Sequence, residues 1–422
     1  MIVVVLVLVV TMFLGVPIAF SLAGASIVGF LLSGTSLMAL GQQLTMGIAK
    51  YSLLPLPFFI FSGYLMGQGG ISRRLIKVVQ AYTGHRTGGV AMVTIISCMI
   101  FAAVSGSSSA TTAAIGSILI PAMLERKYDR AFAGSVTAVS AELGMIIPPS
   151  ISMIIYGVIT ETSIAKLFMA GFLPGIFIGL TLMAVSYVLC RKKGYSGSEK
   201  ATKEEKRKAL KDSWLALLMP VVVLGGIYTG IFTATESSVV AVVYAIIVGT
   251  FVYKEISWEK FKKSAIDTLT TSGMIMMVIA CATAFSFLLT REQIPQNVAI
   301  AFSTIAPNSA VFLILTILLL TLTGMFFDST SAVTVLAGIL TPVAIAFGIN
   351  PIHFGVIMIV NMAIGCVTPP VGVNLFVACK LGEIQMEKMF KELVPFWIML
   401  LIDLIVIAFI PQLSLFLPSL MH

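Results

Sequence analysis

Charge is what this sequence has least of. Asp, Glu, Lys and Arg make up 10% of its 422 residues, against 58% hydrophobic, and a chain so poor in polar surface cannot cover itself as a soluble globule. Histidine is almost missing: His422 is terminal, His85 falls in a basic loop and His353 opens a helix. None supplies a base to the serine-rich segments, so Ser–His hydrolysis is excluded. Asp328 has no second aspartate at similar depth, which removes aspartyl protease chemistry as well. The five cysteines, Cys98, Cys190, Cys281, Cys366 and Cys379, sit in apolar runs with no CxxC spacing. They read as core thiols and not as a metal or redox site. The net charge of +8 comes without any face of interleaved aromatic and basic residues, so no nucleic acid partner is expected.

What remains is apolar sequence broken by short polar knots. A bilayer core about 30 Å thick takes roughly 20 apolar residues per helical crossing, and runs of that order recur along the whole chain. The stretch from Ile2 to Val10 has the look of a signal-peptide core but lacks a basic n-region and a small-residue cleavage site, so a retained span is expected.

A shift of 221 residues lays the second half on the first without gaps. Pro121 falls on Pro342, Gly134 on Gly355, Gly144 on Gly365, Pro148 and Pro149 on Pro369 and Pro370, and Pro174 on Pro395. Apolar residues match by chance in any membrane protein, but Pro and Gly coincidences at one shift mark a duplication, 1–201 and 222–422. Lys and Arg cluster at Arg73–Arg86, Arg126–Arg130, Arg191–Lys211 and Lys254–Lys263, and such clusters mark the cytoplasmic side. The counterpart of the last cluster, Ser33–Gln42, carries no charge. One structural position is therefore basic in one copy and neutral in the other, as inverted halves require. The expected fold is an all-α polytopic membrane protein made of two inverted repeats. Each repeat has a short helix pair, a helix after an amphipathic connector, a re-entrant hairpin, a broken helix and a closing helix. That makes five crossings per half, with both termini outside and the basic linker 191–213 inside. Met1–Gly34 is open between a helix pair and one long tilted helix.

Two knots carry the chemistry. Ser105–Thr112, between the short apolar runs Val90–Val104 and Ala113–Met123, reads as a hairpin tip, and its repeat partner is Gly324–Ser331. Each hairpin precedes a helix interrupted by tandem proline, Gly144–Ser150 in the first half and Gly365–Asn374 in the second. Paired prolines remove backbone donors and force the helix to unwind, leaving carbonyl oxygens that protein, water or an ion must satisfy at membrane depth. Carbonyls beside Ser and Thr hydroxyls suit a hard monovalent cation, and half-helix N-termini suit an anion. One sodium ion is expected among Ser105, Gly106, Ser107, Ser108, Ser109, Gly144, Ile147, Pro148 and Ser150. A second is expected among Gly324, Asp328, Ser329, Thr330, Thr334, Gly365, Val367 and Thr368. A carboxylate solute is expected between them, at Ser108, Ser150, Ser152, Ser329, Gly372 and Asn374. Hydroxyls that merely let helices pack closely, or prolines that merely kink them, are the plainer alternatives for either knot alone. Asp328 is open between ion ligand and hairpin anchor, and Glu142 between proton carrier and hydrogen-bonded neutral acid. Glu236 reads as a solvated cap, and Lys380 and Asp403 as groups near helix ends that snorkel.

The tip Ser105–Thr112, the Gly-Met-Ile-Ile-Pro-Pro-Ser stretch at 144–150, the Gly-Ile-Phe-Thr-Ala-Thr-Glu-Ser stretch at 230–237 and Thr368–Asn374 together resemble the large membrane subunit of tripartite ATP-independent periplasmic (TRAP) transporters, over essentially the whole chain. The resemblance implies sodium-driven import of a small organic acid, such as sialic acid or a C4-dicarboxylate, across a bacterial inner membrane. It implies two partners besides membrane lipid, a small membrane subunit and a soluble periplasmic substrate-binding protein, and no organic cofactor. It implies an elevator, with scaffold 1–85 and 212–308 fixed while transport parts 88–190 and 309–412 move. The runner-up is a standalone sodium–carboxylate symporter that needs no binding protein. A channel fits less well, because opposed hairpins enclose a site where a channel needs a continuous pore.

Overall fold

The computed structural model describes residues 2–197 and 199–421. Met1, Ser198 and His422, which fall in the expected first repeat, linker and second repeat, lie outside the described residues. The first half contributes the helices Ile2–Phe13 (α1), Ile18–Leu32 (α2), Leu37–Ile48 (α3), Pro55–Gln68 (α4), Ile71–Thr83 (α5), Gly89–Ser105 (α6), Ser108–Glu125 (α7), Arg130–Ala141 (α8), Leu143–Ile146 (α9), Ile151–Thr160 (α10) and Ile164–Lys193 (α11). The second contributes Lys203–Tyr228 (α12), Ala234–Ile246 (α13), Trp258–Arg291 (α14), Ile294–Ile305 (α15), Ser309–Phe326 (α16), Ser329–Ala346 (α17), Pro351–Cys366 (α18), Val373–Gly382 (α19) and Met386–Phe409 (α20), with a π-helical turn at Ile247–Val252 after α13. No strand occurs among the described residues.

The 221-residue shift that pairs prolines and glycines also pairs helix starts: Ser108 with Ser329, and Arg130 with Pro351. One pair is unequal. Pro55 at the start of α4 stops an α-helix from running through Tyr51–Leu53, which forms a 3-10 turn, so α3 and α4 meet at a 51° bend, while α14 at the equivalent place is one continuous helix of 34 residues. The N-terminus resolves as two helices, α1 and α2, parted at Gly15–Pro17. The amphipathic α5 and α15 lead into the hairpins; they follow the bent or long helix, where the sequence had suggested only a connector before it.

Inversion can be read from two corners. Arg74 pairs with Glu255 at 2.5 Å, against Gly70, and Lys260 at the start of α14 reaches Gln68 O. Under the repeat shift Gly70 and Glu255 become Arg291 and Gly34, and Arg291 indeed bonds Thr35 Oγ1. These equivalent corners stand at opposite ends of α14, about 50 Å apart for 34 residues at 1.5 Å each. The basic clusters share the first corner's face. Gly88 N donates to Tyr195 O, Tyr195 Oη accepts from Asp129 N, and Lys193 pairs with Glu392 at 2.7 Å.

Eight helical segments among the described residues are long and apolar enough to cross a membrane, or nine with the bent pair α3/α4. Two of them, α16 and α17, are the arms of a hairpin, so length alone does not separate a crossing from a re-entrant arm.

One expectation fails here. Asp403 does not snorkel: it lies inside α20, fully buried, and its Oδ2 accepts from Thr181 Oγ1 at 2.6 Å. The helix runs on to Phe409, and α11 supplies the donor that a buried carboxyl needs. Lys380 is exposed in the last turn of α19. Glu236 completes an exposed capping box with Thr233.

Candidate functional site

Both hairpin turns are tighter than the sequence suggested. Gly106 takes φ +64° at the end of α6, and Ser107 caps α7 by accepting from Ala110 N at 3.4 Å. In the second hairpin the helix continues through Gly324 to Phe326. Asp328 then caps α17, its Oδ2 accepting from Thr330 N at 3.0 Å and Ser331 N at 3.3 Å. Ser107 and Asp328 are repeat equivalents. A cap at that position satisfies the first orphan N–H groups and lets each helix restart at once.

Each tip is fastened to the broken helix behind it. Ile151 N donates to Gly106 O at 3.1 Å, and Val371 N to Met325 O at 3.2 Å. The approach is close enough to require glycine. A Cβ on Gly144 would stand 2.7 Å from Ser107 O, and one on Gly365 would stand 2.5 Å from Gly324 Cα. The interruptions fall at the proline pairs, where α9 and α18 stop and α10 and α19 begin; both Pro–Pro bonds are cis.

The two tips line one cavity of about 760 Å³. Gly106, Ser107, Ser108 and Ser109 come from one tip, Asp328, Ser329, Thr330 and Ser331 from the other, and the facing wall includes Phe20, Thr271 and Met274 from α2 and α14. No lysine or arginine is among the lining residues. Of the residues expected to bind solute, Ser108, Ser152, Ser329 and Asn374 line this cavity. Ser150 and Gly372 do not. Ser150 is fully buried and caps α10 by accepting from Met153 N, and Gly372 is buried with φ +55° behind the wall.

The residues expected around sodium are distributed likewise. Ser105, Gly144, Ile147 and Pro148 pack directly behind the first tip, all buried, and Ser105 Oγ shares a hydrogen bond of 2.8 Å with Thr111 Oγ1. Gly324 and Gly365 meet behind the second tip. Thr334 and Thr368 bond back to Thr330 O and Ile364 O at 2.6 Å, and Val367 O accepts from Trp397 Nε1 at 2.8 Å. Hydroxyl and carbonyl oxygens dominate both clusters. Among the described residues no three His, Cys, Asp or Glu gather as a transition-metal site would need.

One pairing was not legible in the sequence. Asn374 Nδ2 donates to Glu142 Oε1, joining the broken helix of one half to that of the other across 232 residues. Both side chains are buried, and Glu142 Oε2 and Asn374 Oδ1 have no partner. An isolated Glu in an apolar run signals that a partner exists, but sequence gives no means to name it.

Two repeats whose hairpin tips converge on a shared cavity beside unwound helices have the architecture of an inverted-repeat membrane transporter. Residues 5–413 match the family model of the DctM component of tripartite ATP-independent periplasmic transporters, and the chain belongs to that family. It is 38% identical over 410 residues to the sialic acid TRAP transporter large permease protein SiaM of Vibrio cholerae, covering 97% of this chain and 96% of that one. It is 40% identical over 389 residues to the C4-dicarboxylate TRAP transporter large permease protein DctM of Pseudomonas aeruginosa, covering 92% and 91%. Its fold resembles that of the YdaH transporter of Alcanivorax borkumensis, with a TM-score of 0.63 at 13% identity and 89% of each chain covered. The protein is thus a multi-pass permease of TRAP-type solute transport.

Proposed function

We propose that the chain imports a small organic acid by sodium-coupled alternating access, in the bacterial inner membrane, working with a small membrane subunit and a periplasmic binding protein. The observation that carries this is the meeting of two equivalent Ser- and Gly-rich tips, each fastened to an unwound helix, on one 760 Å³ cavity. Buried carbonyls and hydroxyls behind each tip suit sodium, and the N-termini of α7 and α17, which open onto the cavity, suit a carboxylate. An elevator fits the packing: α2 and α14 form one wall, and the hairpins with their broken helices form the other. Sialic acid and C4-dicarboxylates are among the solutes named for relatives that match more than nine-tenths of the chain. The absence of Lys and Arg from the lining favours an acid whose charge is met by helix ends and sodium, without a bidentate arginine clamp.

The test is uptake of a panel of labelled organic acids into proteoliposomes holding the chain and its small partner. Accumulation of one acid only when its binding protein is present is expected. Full activity without any binding protein would replace the tripartite reading with a standalone symporter.

A further inference from the structure

The basic face holds a second cleft, of about 360 Å³, that plays no part in the transport site. It lies where α5 and the start of α12 run side by side against the π-helical turn after α13, and Arg73, Arg74, Lys77 and Lys211 all line it. Arg74 is satisfied: it pairs with Glu255 and lies 3.7 Å from the centroid of the Tyr253 ring. Arg73, Lys77 and Lys211 are exposed and make no ion pair or side-chain hydrogen bond among the described residues, and Asp212 is the one remaining acid on the wall. Three cations without ion pairs share this concave wall with one carboxylate, Asp212, and the net positive charge left over attracts a further anion.

The surroundings say what kind of anion. Trp214 lines the cleft and is 54% exposed, in the position of an interfacial aromatic, and Trp258 nearby is 78% exposed. From Trp214 an exposed apolar stripe descends α12 through Leu218 and Val221, and Val252, Phe251 and Ile247 expose a second apolar edge beside it. A cationic cradle at the membrane surface, continued by lipid-facing apolar side chains, matches a phosphate headgroup with acyl chains below it. The repeat equivalents of Arg73 and Lys77 are Ile294 and Val298, so the feature belongs to one face only.

We infer that Arg73, Lys77 and Lys211 bind the phosphate headgroup of an anionic phospholipid of the cytoplasmic leaflet, whose acyl chains lie along the Trp214–Val221 face of α12. The site is independent of the ion and solute reading, since none of its residues lines the transport cavity.

Trp214 provides the probe. In the full chain carrying Trp258→Phe and Trp397→Phe, reconstituted in vesicles, quenching of the remaining tryptophan by phosphatidylglycerol with brominated chains is compared with quenching by brominated phosphatidylcholine at equal mole fraction. A several-fold preference for the anionic lipid is expected. It should fall to near parity in Arg73→Gln/Lys77→Gln/Lys211→Gln, whose exposed positions leave folding intact, and should persist in millimolar inorganic phosphate. Equal quenching by both lipids, or a preference untouched by the triple substitution, would overturn the site. Loss of the preference to inorganic phosphate would assign the cradle to a free phosphate and overturn the lipid.

Discussion

Single atoms decide how the tips meet their helices. Gly365 approaches Gly324 so closely that a methyl group has backbone and no flexible side chain to displace. Gly365→Ala should therefore push the second hairpin off its broken helix, costing about 1–3 kcal/mol of stability and abolishing uptake. A variant that melts and transports like the parent would show that the contact is slack. Asp328 caps α17 through one oxygen, and asparagine caps about as well as aspartate. Asp328→Asn should keep the melting temperature yet raise the sodium needed for half-maximal uptake, whereas Asp328→Ala should also lose about 1 kcal/mol. Unchanged sodium dependence in the asparagine variant would leave Asp328 as a cap alone. Glu142 offers the complementary case. Glutamine keeps an acceptor for Asn374, so Glu142→Gln should sustain uptake, while Glu142→Ala strands the amide at about 1–3 kcal/mol. Inactivity of a stable Glu142→Gln protein would make the carboxylate itself essential. Serine, glycine and proline announced both tips because their backbone chemistry is local. The Glu142–Asn374 and Asp403–Thr181 bonds were hidden because each joins residues more than 200 positions apart, and Asp403, read as lying near a helix end, has α20 running past it to Phe409.

Among elements, the duplication is what made the sequence readable. A proline pair alone is a kink and a serine run alone is close packing, but the same pair after the same tip in both halves is an architecture. The hairpins, the breaks and the closing helices α11 and α20 were all legible in this way. Departures from symmetry were harder to see. The bend between α3 and α4 has a signal in Pro55 and Pro57, yet nothing in the second half says that α14 will run straight. The length of α14 gives a direct test of inversion, since its ends carry the two equivalent corners. With Lys262→Cys and Glu292→Cys made singly, a membrane-impermeant thiol reagent added to spheroplasts should label Glu292→Cys at once. Lys262→Cys should be labelled only after permeabilisation. Four of the five native cysteines are buried and Cys379 is partly so, which keeps the background low. Labelling of both positions from one side would refute the inverted arrangement.

At the scale of the whole molecule, the basic clusters gather on one face, the tips meet inside, and the apolar exterior suits lipid. Each elementary charge carried inward across 100 mV gains about 2.3 kcal/mol, so two sodium ions entering with a monoanion would make uptake electrogenic. The measurement that bears most directly on sodium coupling is the initial uptake of the recognised acid into proteoliposomes with all three components present. An inward sodium gradient is compared there with equal sodium on both sides. Accumulation above equilibrium only under the gradient is the expected result; equilibration at the same rate in both conditions would mean that the oxygen-lined tips bind no coupling ion.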